Sequence, residues 1–233
     1  MAASAINKDY YYIVNAYLNN KLGNIQTERY RAYDFEAATN NNEADDGITT
    51  FIDAITDENQ AIIIQCGDNV NNASKIEYFS QYGAKRLLAA VRNKAPHSLI
   101  YWVGLWYNNS TVYNAISEAC SVYNARLIDI RDIKTSQTMN HIGAIYNYET
   151  FNTYVKENVS NVNQDDSTHI TISFTVDNIS YTTTIEVTSW SLNGTTLTFN
   201  SKQTYIDSVG VSTHPNDEGF VQIANRIIGA INI

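Results

Sequence analysis

The chain is poor in the residues that most readily disclose a function. Its 233 residues include two prolines, two cysteines, two methionines and four histidines. Two cysteines cannot build a disulfide framework, and Cys66 and Cys120 read as buried thiols. No Cys/His cluster has metal-ligand spacing, so the sequence calls for neither a metal nor another cofactor. Positive charge is scarce: 15 Lys and Arg stand against 24 Asp and Glu, a net charge of −9. The basic residues are scattered, which argues against a phosphate-neutralising groove and hence against nucleic acid. No apolar run approaches the ~18 residues of a membrane span. The acidic balance also disfavours anionic membrane surfaces, so no membrane partner is expected. No signal peptide is visible, and the compartment stays open, with extracellular, cell-surface and virion settings considered.

What is present suffices for a core. Hydrophobic residues make up 44% of the chain, which is read as one domain over 1–233. The 17 tyrosines supply flat amphipathic surface suited to hydroxyl-rich ligands such as sugars. The abundant asparagines fit that reading, and fit a biased genome equally well.

Periodicity predicts an alternation of strands and helices. A first helix starts near Asp9, with Ile13, Val14, Tyr17, Leu18 and Leu22 on one stripe. A polar strand is expected over 25–33 and a helix over 46–56. The run Ala61-Ile62-Ile63-Ile64-Gln65-Cys66 reads as a strand buried on both faces, as in a parallel sheet. A long helix over 73–94 ends before Pro96, followed by a strand at 98–105, a helix at 111–123 and a strand at 126–130. The stretch 158–166 reads as a polar linker. Over 167–204, period-2 alternation and the turn signals Asp177-Asn178 and Asn193-Gly194 predict a small antiparallel β insert. The expected architecture is therefore three-layer α/β/α, with a mainly parallel, flavodoxin-like sheet plus that insert.

Two segments carry candidate chemistry. Gly67-Asp68-Asn69 follows the buried strand, where open α/β sheets bind ligands, and the Asn69 carboxamide could serve a developing oxyanion. A simpler role for Asp68 and Asn69 is to cap the next helix. His214-Pro215-Asn216-Asp217-Glu218-Gly219 holds an imidazole on a rigid turn just ahead of a helix, a common place for a general base. Together, in this order, the two segments resemble the blocks of the SGNH (GDSL-like) hydrolases. That resemblance implies Asn69 and Gly67 at the oxyanion hole, His214 as base, and an acyl ester, preferably an acylated carbohydrate, as substrate.

The chain also departs from that pattern. It has no Gly-Asp-Ser block, Val211 stands where the family usually has an aspartate, and 31–36 lacks the family's glycine. The nucleophilic serine would then lie upstream of the chain, or Ser4 would be a relocated nucleophile, or the protein would bind without catalysis. The first central strand of such a sheet would be supplied by an upstream segment, another chain of a larger assembly, or residues 1–6. Trp106, Tyr33, Asp34 and Glu36 follow predicted strands and are candidate substrate-binding residues, with Asp34 or Glu36 also able to orient His214. Two readings follow: a serine esterase, or a catalytically inactive carbohydrate- or surface-binding domain.

Overall fold

The computed structural model describes residues 3–231. The chain divides into two compact units, one formed by residues up to 20 together with 134–225, the other by 21–133 and 226 onward. Two helices, α1 (Tyr10–Leu22) and the last helix, Asp217–Ile231, cross the boundary between them.

The α/β unit contains helices α2 (Tyr33–Ala37) and α3 (Asn41–Ile52), then strand β1 (Ala61–Ile64). Next come α4 (Ala73–Tyr78) and α5 (Ala84–Lys94), joined through one wide π turn, so the predicted long helix forms with an interruption at 79–83. Strand β2 (Leu99–Val103), helix α6 (Ser110–Val122) and strand β3 (Arg126–Ile128) complete it. The three strands form one parallel sheet in the order β1-β2-β3. Central β2 is buried beyond Leu99, and Trp102, wholly buried, donates its indole N–H to the Cys66 carbonyl at 3.0 Å. Cys66 and Cys120 are buried free thiols, and burial pushes Cys120 up to about 12.

The other unit is antiparallel. Strands β4 (Ile145–Lys156), β8 (Ser189–Asn193) and β9 (Thr196–Tyr205) form a sheet in the order β4-β9-β8. Strands β5 (Val159–Gln164), β6 (His169–Val176) and β7 (Ile179–Glu186) form a second, ordered β5-β6-β7. Their inner faces share a core of Ile170, Ile172, Phe174, Ile185, Leu197 and Phe199. The β6–β7 turn is Asp177-Asn178, both with positive φ, as a two-residue hairpin requires. The β8–β9 turn falls one residue later than the Asn-Gly signal, on Gly194 and Thr195, because Asn193 pairs with Thr196.

The expected mainly parallel, flavodoxin-like three-layer fold is therefore incorrect. Only three of the nine named strands are parallel, and the antiparallel part extends over 145–205 rather than 167–204. The predicted linker at 158–166 holds β5, whose polarity reflects an edge strand with Val159 buried and most other side chains outside. The strand expected over 25–33 does not form, and all its residues but Ile25 and Ala32 are exposed. β1 is an edge strand: Ala61 and Ile63 face solvent, contrary to two-sided burial. The α1 stripe holds in part: Val14 is buried and Ile13, Tyr17 and Leu18 are half-buried, whereas Leu22 is exposed. No strand precedes α1 among the described residues; residues 1 and 2 of the segment considered for that slot lie outside them.

Many asparagines have local backbone work. Asn40, Asn72 and Asn109 cap α3, α4 and α6 through side-chain oxygens, while Asn24, Asn124, Asn158 and Asn178 hold left-handed conformations. Neither role needs a ligand.

Gly47 marks the closest approach of α3 to α2. A Cβ there would lie 2.5 Å from the Phe35 nitrogen and 2.6 Å from its Cα. Alanine in a helix interior normally gains about 1 kcal/mol over glycine. Here the obstacle is backbone, so Gly47→Ala should destabilise the α/β unit by about 1–3 kcal/mol. Urea unfolding followed by tryptophan fluorescence checks this, and a stabilised variant would contradict the packing.

Candidate functional site

Beyond β1 the chain makes a tight loop, 65–69, at the C-terminal edge of the parallel sheet. Gly67 has φ +121°, a conformation that favours glycine, and a Cβ there would also displace the Leu105 Cδ2, 2.7 Å away. The loop is organised around Glu36, a buried carboxylate on α2. Glu36 Oε1 accepts from the Gly67 N–H at 2.5 Å and the Asn69 N–H at 3.2 Å, and Oε2 accepts from Asn69 Nδ2 at 2.7 Å. Three donors serving one buried carboxylate offset its loss of hydration. Next to it, Asp68 accepts from the backbone N–H groups of Tyr107 (2.9 Å) and Trp106 (3.3 Å) and from Gln65 Nε2 (3.0 Å). Burial raises the Asp68 pKa to about 6, its hydrogen bonds oppose the rise, and the Glu36 charge adds to it. The helix that follows is capped by Asn72, not by Asp68 or Asn69.

At the end of β3, Asp129 holds Arg131 through several short hydrogen bonds, and the guanidinium lies 3.6 Å from the Tyr113 ring centroid. Arg131 accordingly lowers the Asp129 pKa to about 2. Asp132 is paired with Arg226, which also donates to the Asp129 carbonyl. These charges are matched among themselves.

In the antiparallel unit, the His214-Pro215-Asn216 turn is laced to the loop 137–140. The Asn140 N–H donates to the His214 carbonyl (3.0 Å), and Asn140 Nδ2 to that of Pro215 (2.9 Å). Asn216 Nδ2 donates to the carbonyls of Gln137 and Met139, while its Oδ1 accepts from the Gly219 N–H at 2.9 Å. After the short helix α7 (Val209–Ser212), Asn216 is thus the N-cap of the last helix, α8 (Asp217–Ile231), and its bond to the loop 137–140 at once. Gly219 packs against the Thr138 carbonyl too closely to admit a Cβ. The His214 ring is exposed to solvent, yet nearby protein lowers its pKa through desolvation first and Lys134 among the lesser causes, favouring neutral imidazole at pH 7. Ser4 is held by Asp217: its N–H donates to Oδ1 at 2.8 Å and its hydroxyl to Oδ2 at 2.5 Å.

The structure therefore brings Glu36, Gly67 and Asn69 together in the α/β unit, and Ser4 with the 214–217 turn in the antiparallel unit. Tyr33 and Asp34 are exposed on α2, whereas Trp106 is 4% exposed. Asn140 escaped sequence reasoning, and so did the partners of Asp68 and Asp217, because hydrogen bonds to distant parts of the chain leave no local spacing signal. Among the described residues no three His, Cys, Asp or Glu side chains are grouped to hold a metal ion, and no helix is long and apolar enough to cross a membrane.

The folded-state pKa of Asp68, about 6, exceeds the ~3.9 of an unfolded aspartate. Its contribution to stability is therefore fully present below the unfolded value and is lost as pH rises through the folded one. Asp68→Asn removes this dependence while keeping an acceptor oxygen. Between pH near 4.5 and near 7.5, urea unfolding should show the wild type losing about 1–2 kcal/mol more than the variant. Equal losses would contradict the assigned burial.

Compared with known proteins, the chain matches no family model, and neither the curated proteins nor the solved structures contain a match to it.

Proposed function

We propose that this chain is a non-catalytic protein that binds carbohydrate. The observation that carries the reading is the Glu36 carboxylate bonded to the Gly67 N–H, the Asn69 N–H and the Asn69 carboxamide. Those are the donors that an acyl-transfer site would aim at a developing oxyanion. Here they already serve an anion, and a second negative charge beside Glu36 would be repelled rather than stabilised. The Ser4 hydroxyl likewise donates to Asp217, and the Asn216 carboxamide that follows His214 is spent on the loop 137–140.

The choice of ligand rests on the surface. Tyr30, Tyr33, Tyr82, Tyr148 and Phe151 are exposed rings, able to stack on the apolar faces of sugars. A net charge of −9 works against polyanionic partners. A serine esterase is the second reading, favoured by the neutral His214 imidazole and by the resemblance of the two sequence blocks to SGNH hydrolases.

A fluorophosphonate probe separates the two, because labelling needs an activated serine. The binding reading expects no labelling of the intact chain, and p-nitrophenyl acetate turnover unchanged by His214→Ala. Labelling that Ser4→Ala abolishes would overturn it.

A further inference from the structure

Two carboxyl groups meet at the loop 65–69, and among the described residues no cation is bonded to either. Glu36 enters from α2 and takes the Gly67 and Asn69 donors. Asp68, between those two residues, reaches the loop that follows β2. Its Oδ1 accepts from the Tyr107 N–H at 2.9 Å, and its Oδ2 from the Trp106 N–H at 3.3 Å. Oδ2 also accepts from Gln65 Nε2 at 3.0 Å. Asp68 thus fastens the end of β1 to the end of β2.

The elements around it bring no compensating charge. Lys75 of α4 reaches the Asn69 carbonyl instead, at 3.5 Å. α6 meets the loop through Val112 and Ile116, and the end of β2 meets it through Leu105. Cys66, on the loop itself, is a thiol that burial keeps neutral. The charge acting on Asp68 is that of Glu36. Two shielded carboxyl groups without a cation do not both ionise readily, and one holds a proton where an ordinary aspartate would not. Glu36 has the closer donors, at 2.5, 2.7 and 3.2 Å, which leaves the proton to Asp68. Asp68 is half-buried rather than sealed, so solvent delivers the proton. Its Oδ2, with the two longer bonds, is the atom to receive it. A protonated oxygen must donate, and the neighbour able to accept is Gln65. Half a turn of its exposed amide puts Oε1 where Nε2 stood. The Trp106 N–H then faces a carboxyl group in place of a carboxylate, and a hydrogen bond to a neutral acceptor is about half as strong.

We propose that Asp68 is a proton-operated clasp: taking one proton from solvent on Oδ2, it turns the Gln65 amide and slackens the tie between the loops 65–69 and 104–107. Release of the proton, as pH rises, tightens the tie. The two-state element is the Gln65 amide, while Glu36 keeps Gly67 and Asn69 in place in both states. The C-terminal edge of the parallel sheet therefore changes, between mildly acidic and neutral solution, by one charge and by its hold on Trp106. The clasp does not depend on the carbohydrate reading.

The test is NMR of the intact, isotopically labelled protein between pH about 5 and about 7.5. The Asp68 carboxyl carbon should titrate with a midpoint of about 6. The amide protons of Trp106 and Tyr107 and the side-chain NH2 of Gln65 should move with the same midpoint, Trp106 the furthest. Asp68→Asn should abolish all three movements. A carboxyl carbon already in its ionised position at the acidic end of the range would overturn the proposal, and that reading needs no variant. Amide movements that persist in Asp68→Asn would overturn it as well, because the proton would then sit elsewhere. Titration of Asp68 with the Gln65 NH2 stationary would rule out the turning amide. With Trp106 and Tyr107 stationary, it would rule out the clasp.

Discussion

A buried carboxylate organises the C-terminal edge of the parallel sheet in the α/β unit. Glu36 sits on a five-residue helix too short to be stable alone, and reaches a loop 31 residues away in sequence. Three hydrogen bonds make its burial tolerable, and they also dictate the loop. They hold Gly67 in a conformation that other residues rarely adopt, and so set the direction of Asp68 toward the 106–107 backbone. The packing of α2 on α3 at Gly47 lies behind the same carboxylate. A nest of N–H groups at a strand end resembles an anion site, and in this protein the anion is supplied by the chain itself.

The 214–219 turn follows similar logic. Its proline and asparagine resemble a catalytic block, but their observed bonds stitch a loop to a helix start: Asn216 caps α8, bonds two carbonyls of 137–139, and precedes the Asp217 that holds Ser4. The residue types that make a good catalytic loop also make a good structural clamp. Only the partners distinguish the two.

The longer helices were legible because their apolar faces are local, whereas the five-residue α2 and the Asn72 cap of α4 were not. The β6–β7 hairpin was legible for the same reason, with Asp177-Asn178 and clean alternation on either side. β4 was hidden by its bulge. Residues 148–151 interrupt the period-2 pattern, so a strand rich in tyrosine and β-branched residues shows no continuous alternation. β1 misled in the opposite direction: three consecutive isoleucines suggested a central strand, yet they occupy the edge of a three-stranded sheet. Glu36 was selected as a site residue, but for binding substrate or orienting His214. That it bonds the Asn69 segment depends on a long-range fold no spacing reveals.

Amide hydrogen exchange at Gly67 and Asn69 tests the central claim most directly. Both residues lie in a loop outside any helix or strand, where unbonded amides exchange quickly. If Glu36 holds them, the two amides exchange slowly in the native protein, and Glu36→Ala releases both while amides in α5 stay protected. Rapid exchange at both positions in the wild type would mean that the donors are free, and the account of a self-occupied anion nest would fail.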